Sequence, residues 1–366
     1  MVFQDFQDFQ DFMSIPWSNV KRVLVVRLRS IGDMVLATPS LVSLRRFLPD
    51  AEIDVLLEDW VAPLIEGSAA VDRVVTVGRS GVSRIRAAWD LRRRGYDVAF
   101  NLHGGTTGTF FTIASGARHR VGYGSYQYSF LYNQLLTDAS PAWPGKSAHS
   151  ARQQLALLEH AGVLVDREEP SLLPLNADSE ASIDARLSEL GDSPFALMHP
   201  AAAFATKTWP VENFARTAEY LRSLRISTVA VAAAAETDIL QNLTRGSTAP
   251  IATFSDLSLP EITALARRAK LFIGNDSGIA HIAAAVGTPS VVVFGSSNLN
   301  FWRPWTGAPN EVVFQPFACR PCPGSECREF GRPRCIREVG TAAVYGAIDR
   351  VLAETEKRRA KLPAVV

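Results

Sequence analysis

Asp276, Ser277 and Gly278 stand between two apolar runs, residues 271–273 and 279–286, and that order has chemical consequences. The first run reads as a short strand, and 274–278 as a turn of residues that tolerate unusual backbone angles. Residues 279–286 read as a buried helix stopped by Gly287, with Pro289 just beyond, and 290–294 as a fully buried parallel strand. A helix that begins at the carboxyl end of a strand presents free backbone N–H groups and a partial positive charge, which together suit a phosphate. We read this seat as one for the diphosphate of a nucleotide-sugar. Ser277 and Gly278 would offer N–H groups to it, and His281 lies one turn in on the same side. A lone histidine in an apolar helix otherwise serves as a core residue.

Three other places could do chemistry. Asp33 closes the turn Arg29-Ser30-Ile31-Gly32-Asp33 after the first strand. It can cap the helix that follows, or, at the edge of a cleft, take a proton from a hydroxyl. Gly32 would let a substrate approach the backbone. Arg27 is in strand phase and partly buried, while Arg29 is available for an acidic group. Lys207, one of six lysines, lies in Thr-Lys-Thr-Trp-Pro between a strand and a helix of the second half. It reads either as a solvated loop residue or as a cation at the cleft. Cys319, Cys322, Cys327 and Cys335 are all the cysteines of the chain, spaced C-x2-C-x4-C-x7-C. That spacing suits a tetrahedral structural site for zinc or iron, or else free or reversibly paired thiols. Disulfides are disfavoured in a reducing compartment.

The elements that must position these residues follow from length and periodicity. A chain of 366 residues implies two domains of about 150–180 residues. Net charge is +1, which gives no global electrostatic case for nucleic acid. The longest apolar candidate, 226–235, is polar-interrupted and falls well short of the ~20 residues of a membrane span. Residues 1–12 repeat Phe-Gln-Asp three times and carry acids instead of the basic start of an export signal, so 1–20 reads as a disordered or tag-like tail and the protein as cytoplasmic. Arg84, Arg86, Arg92, Arg93 and Arg94, then Arg118 and Arg120, form a local basic cluster. It is either a solvated helix face or a surface that meets an anionic acceptor or anionic lipid.

Strand-like runs at 22–28, 51–58, 71–77 and 96–102 alternate with helical patterns at 34–47 and about 82–94. Residues 118–145 are irregular and aromatic, and 148–161 is a helix. After a linker at 171–180 and a helix at 179–190, a second series begins. Its strands are expected at 195–200, 227–233 and 251–254, and its helices at 211–224, about 236–245 and 260–269. Such alternation predicts α/β architecture with parallel sheets, as two Rossmann-like doubly wound domains facing across a cleft. Gly-x-Gly-x-x-Gly is missing after the first strand and no Walker loop occurs, which disfavours nicotinamide, flavin and P-loop enzymes.

Three segments in order, VVRLRSIGDMVLATP (25–39), LMHPAAAFATKTWP (197–210) and FIGNDSGIAHIAAAVGTPSVVVFG (272–295), resemble glycosyltransferase family 9, the ADP-heptose:lipopolysaccharide heptosyltransferases. The Cys-rich run looks more like heptosyltransferase II and its relatives. The resemblance implies a GT-B fold, with an acceptor-binding domain at 21–172 and a nucleotide-sugar-binding domain at 180–366. It implies that Asp33 is the catalytic base and that Lys207 neutralises the leaving diphosphate. Asp276 and His281 would contact the donor, Glu236 the ribose, and the backbone of Leu257 the adenine; Arg29, Arg118 and Arg120 are the candidates for the acceptor. Where the family often has hydroxyl residues before the lysine, this chain has Ala201-Ala202-Ala203. Asp-x-Asp is absent, so transfer is expected to need no metal. The implied donor is ADP-L-glycero-β-D-manno-heptose and the implied acceptor the lipopolysaccharide inner core, lipid-linked or as saccharide. Contact with the inner membrane would be peripheral. A sugar-nucleotide epimerase, a non-catalytic nucleotide-binding scaffold and a family member with another acceptor are the alternatives.

Overall fold

Every strand that the computed structural model describes pairs in parallel with its neighbours. The structure describes residues 15–188, 191, 193–322 and 324–361. The chain divides into two units, Met1–Pro174 and Leu175–Val366.

The first unit runs β1 (Arg22–Val26), α1 (Ile31–Val35), α2 (Thr38–Phe47), β2 (Glu52–Glu58), β3 (Arg73–Val77), α3 (Gly81–Arg94), β4 (Val98–Asn101), α4 (Gly105–Ala114), β5 (His119–Tyr123), β6 (Gln134–Leu136) and α5 (Ser150–His160). Its strand order is β3-β2-β1-β4-β5-β6. The chain winds outward from β1 to β3, then crosses back to β4 and winds the other way. The reversal opens at the carboxyl ends of β1 and β4, the place where doubly wound sheets bind ligands. Leu24, Val26, Leu56, Val75, Ala87, Leu91 and Phe111 form the core on the face covered by α3 and α4.

The second unit runs α6 (Ala177–Leu187), β7 (Phe195–His199), α7 (Val211–Ser223), β8 (Ser227–Val231), α8 (Thr237–Arg245), β9 (Ile251–Phe254), α9 (Leu259–Arg268), β10 (Leu271–Asn275), α10 (Gly278–Ala285), β11 (Ser290–Phe294), α11 (Leu299–Trp302), β12 (Asn310–Phe314), α12 (Arg334–Arg337) and α13 (Thr341–Lys361). Its order, β12-β11-β10-β7-β8-β9, reverses between β7 and β10. Alternate residues Leu271, Ile273, Val291 and Val293 face α7 and α13 through Phe214, Leu221, Val344 and Ile348. Phe272, Val292 and Phe294, which alternate with them along the strands, are also fully buried. Burial on both faces explains the continuous apolar runs.

Four expectations change. The helix expected at 34–47 is two helices, because Pro39 has no N–H to give to the Val35 carbonyl. Thr38 Oγ1 donates to that carbonyl at 2.7 Å instead. The aromatic stretch 118–145 contains two parallel strands, β5 and β6. The turn expected at 274–278 starts later, since β10 continues through Asn275. Residues 1–14 of the expected tail lie outside the described residues, but Ile15 is buried and Trp17 is packed. The Trp17 ring lies parallel to Phe100 at 6.4 Å and edge-on to Phe47 at 5.4 Å, and its Nε1 donates to the Ala161 carbonyl at 2.9 Å.

A Trp17→Ala substitution should therefore destabilise the first unit by on the order of 2 kcal/mol. Urea unfolding should show a lowered midpoint with an unchanged m value; an unaltered midpoint would mean that the segment contributes nothing to the fold.

Candidate active site

In the second unit the strand reversal brings two loops together. One follows β7 and carries Lys207; the other follows β10 and carries Asp276 and Ser277. Asn275, fully buried at the end of β10, joins them: its Nδ2 donates to the Pro200 carbonyl at 2.8 Å and its Oδ1 accepts from the Trp209 N–H at 3.0 Å. Asp276 is buried as well. Its Oδ2 accepts from Lys207 Nζ at 2.8 Å and from the Ser297 hydroxyl. A buried carboxylate needs such compensation, so Lys207 is an ion-paired group and not a solvated loop lysine. Phe204 lies 6.0 Å beneath the same ammonium.

Ser277 is the N-cap of α10, and its Oγ lies 3.1 Å from His199 Nδ1. His199 is the last residue of β7. Burial pushes its imidazole down to about 4, so it is neutral near pH 7. Sequence reasoning passed over His199; its signal is a polar residue closing an otherwise apolar strand directly before the Lys207 loop. His281 is buried one turn into α10. Glu236 follows β8, and its Oε2 accepts from the Ala233 N–H at 3.1 Å. Leu257, half-buried, follows β9.

The cysteine run is tied to this loop. Thr206 Oγ1 donates to the Gly324 carbonyl at 2.9 Å, Ser296 Oγ donates to Thr206 Oγ1 at 3.0 Å, and the Cys322 N–H donates to the Ser296 carbonyl at 3.0 Å. Gly295 permits the approach, because a Cβ there would sit 2.0 Å from the Thr206 carbonyl oxygen. The sulfurs of Cys319, Cys322 and Cys335 bear on the half-buried Arg320, whose guanidinium is lowered by burial. Burial pushes the Cys335 thiol up. Among the described residues no three His, Cys, Asp or Glu side chains group so as to hold a metal ion.

In the first unit Asp33 follows β1 as the third residue of α1, not as its cap. Ser30 is the cap, and its N–H and hydroxyl donate to Asp33 Oδ2 at 3.2 and 2.9 Å. Buried Arg27 pairs with Asp33 Oδ1, and its other guanidinium nitrogens donate to the Asp33 and Leu102 carbonyls. His103, just past β4, is lowered by burial and then by Arg27, with Asp33 acting in the opposite sense. A neutral imidazole thus stands beside the carboxylate. In the sequence His103 directly follows the fourth strand-like run, at the carboxyl end where such sheets place ligands.

Arg29 is exposed at the same edge, 3.8 Å from Glu58. Arg118 and Arg120 are not brought to Asp33. They lie at the amino end of β5, where Arg120 is level with Ala99, and Ala99 with Leu24 near the start of β1. The Arg120 side chain is already engaged, donating to the Leu131 and Ala117 carbonyls at 2.8 and 3.0 Å.

Residues 84–331 match the profile of glycosyltransferase family 9 (heptosyltransferase). Lipopolysaccharide heptosyltransferase 3 of Escherichia coli (strain K12) is 27% identical over 293 residues, which span 76% of this chain and 84% of that protein. The crystal structure of a family 9 glycosyltransferase from Veillonella parvula DSM 2008 superposes with a TM-score of 0.78 at 20% identity, covering 91% of this chain and 97% of that one. The structure of E. coli ADP-heptose lps heptosyltransferase II gives 0.75 at 21% identity, over 92% and 99%. At such identities the superpositions speak for the fold alone: two α/β units of the GT-B type.

His199 makes the second unit sensitive to acid. Its folded value lies below the unfolded one, so below about pH 6.5 the unfolded chain takes up a proton that the folded chain refuses. The stabilisation is complete above that pH and drains away as the pH falls toward about 4. Unfolding followed across this window should show a steeper loss for the native chain than for a His199→Gln variant. Parallel curves would mean that His199 titrates normally in the fold.

Proposed function

The chain belongs to glycosyltransferase family 9, the heptosyltransferases, and we propose that it moves a heptose from ADP-L-glycero-β-D-manno-heptose to a hydroxyl of the lipopolysaccharide inner core. The observation that carries the donor half is the Lys207–Asp276 pair at the start of α10, where a cation and the backbone N–H groups of a helix start occupy one strand reversal. E. coli ADP-heptose lps heptosyltransferase II, with the same fold, supports the choice of donor.

In this reading the first unit takes the acceptor and the second the nucleotide-sugar. Asp33 accepts the proton of the acceptor hydroxyl while Arg27 holds its other oxygen and His103 lines the approach. The hydroxyl oxygen bonds to the anomeric carbon as the bond from that carbon to the diphosphate oxygen breaks. Configuration inverts, and ADP departs. The growing charge on the diphosphate draws the Lys207 ammonium and the N–H groups at Ser277 and Gly278. Asp276, relieved of its partner, accepts from donor hydroxyls; His281 adds a contact, Glu236 holds the ribose and the Leu257 backbone meets the adenine. Arg29 is the remaining candidate for an acidic group of the acceptor. With Lys207 and the helix start to carry the leaving charge, no step calls on a metal. A metal at Cys319, Cys322, Cys327 and Cys335 would be structural, and elemental analysis of purified protein tests for it. No helix among the described residues is long and apolar enough to cross a membrane; we take the enzyme to act at the cytoplasmic face of the inner membrane, held peripherally.

Incubation with ADP-heptose and a heptose-accepting core should release ADP only when both are present. Isomerisation of the nucleotide-sugar without acceptor would overturn the transferase reading, and release with a different saccharide alone would move the acceptor. Asp33→Asn should lower kcat by about 10²- to 10⁴-fold while leaving donor affinity nearly unchanged. Full turnover in that variant would remove Asp33 as the base.

Lys207→Ala should cost about 3 kcal/mol of stability by leaving Asp276 buried and uncompensated, and should abolish turnover as well. Adding Asp276→Asn should restore the unfolding midpoint but not the rate. A double variant that regained turnover would show that Lys207 serves only to neutralise Asp276.

A further inference from the structure

Helix α3 is amphipathic on the side that faces away from its own sheet. Ala87 and Leu91 are buried and hold it to the core, and Arg94 turns back to pair with Glu52 and Asp54. Half a turn around the helix, Val82, Ile85 and Trp89 form a second apolar row that is 68, 71 and 64% exposed. Arg86 and Arg93 flank this row on one side and Arg92 on the other, while Arg84 stands on the far side of the helix, all exposed. None of these four arginines enters an ion pair among the described residues, and Asp90 is the only acid on the helix.

The apolar surface continues onto α4, which packs beside α3. Phe110 and Ile113 are exposed there, and with Tyr128 and Leu131 they line a shallow apolar hollow beside the exposed Phe130. The Arg92 guanidinium lies across Gly116, just beyond α4, and joins the outer surfaces of the two helices. Both helices start at the carboxyl edge of the first unit's sheet, the edge that carries Asp33.

We propose that this face of α3 and α4 seats on an anionic phospholipid bilayer. Exposed tryptophan, isoleucine and phenylalanine enter the boundary between headgroups and acyl chains, and the arginines lie against lipid phosphates. Charge selects this occupant over a second copy of the chain. A two-fold contact would set Arg86, Arg92 and Arg93 against themselves with a lone acid to answer them. A patch of this kind exposed on a monomer calls for a partner, and the partner's charge must be negative. Its use rests on the reading that the acceptor is lipid-linked: a bilayer held against these helices presents that acceptor at the edge where Asp33 stands.

Co-sedimentation with vesicles, without donor or acceptor, separates this proposal from the transferase reading. The full chain should pellet with phosphatidylcholine vesicles that contain phosphatidylglycerol, pellet weakly with phosphatidylcholine alone, and dissociate as salt is raised. Ile85→Asp with Trp89→Asp, and separately Arg86→Glu with Arg93→Glu, should each lower partitioning by more than about tenfold. Both variants should keep native release of ADP with a lipid-free core saccharide, which shows that they fold. Equal binding to neutral and anionic vesicles, no binding, or variants that pellet like the native chain would overturn the proposal. So would a native dimer, measured by sedimentation equilibrium, that the same substitutions dissolve.

Discussion

In a parallel sheet every strand ends at the same edge, and that constraint decides where chemistry is able to sit in this protein. A chain that winds outward from one strand and then crosses to wind the other way leaves two adjacent loops splayed apart at the crossing. Here it happens twice. In the first unit the opening lies between β1 and β4 and holds Asp33 and His103; in the second it lies between β7 and β10 and holds Lys207, Asp276 and Ser277. The same rule sets Arg118 and Arg120 apart from Asp33, because a residue at the amino end of β5 lies about a strand length from that edge.

Within the second opening, burial dictates the arrangement. Asp276 is almost inaccessible, and an ionised carboxylate there requires a cation and hydroxyl donors. Lys207 and Ser297 supply them. The lysine is therefore held in place before any phosphate arrives, and a diphosphate has to compete for it. The three alanines before Lys207 lack the hydroxyls expected of the family, yet the loop is still anchored, since Asn275 grips the Pro200 carbonyl and Thr206 is bonded to Ser296 and Gly324.

Helix α3 shows how one periodicity serves two purposes. Its inward positions, Ala87 and Leu91, are too small and few to account for its hydrophobic residues. The excess points outward, among unpaired arginines, on the unit that meets the acceptor in the proposed reaction. An arginine cluster with this composition reads equally well as a solvated face; only the exposure of Trp89 and Ile85 distinguishes the two.

Much of this was legible in the residues. Runs that are apolar on both faces declared their strands, and 251–254 and 290–294 have the bounds their apolar runs imply. Strands β5 and β6 were obscured because they are only five and three residues long in a stretch interrupted by tyrosines and glycines, and the break between α1 and α2 was hidden in a helical pattern that only the missing N–H of Pro39 divides. The sequence by itself determined the parallel α/β alternation, the helix start at Ser277 and Gly278, and the presence of an acid, a lysine and a glycine-bearing turn after the right strands. Only the tertiary structure decided that Lys207 ends on Asp276, 69 positions away, that Arg27 pairs with Asp33 beside His103, and that Arg120 is spent on backbone carbonyls. The reason is physical: periodicity reports which side of its own element a residue buries, whereas partners across the fold are set by strand order, which no local pattern records.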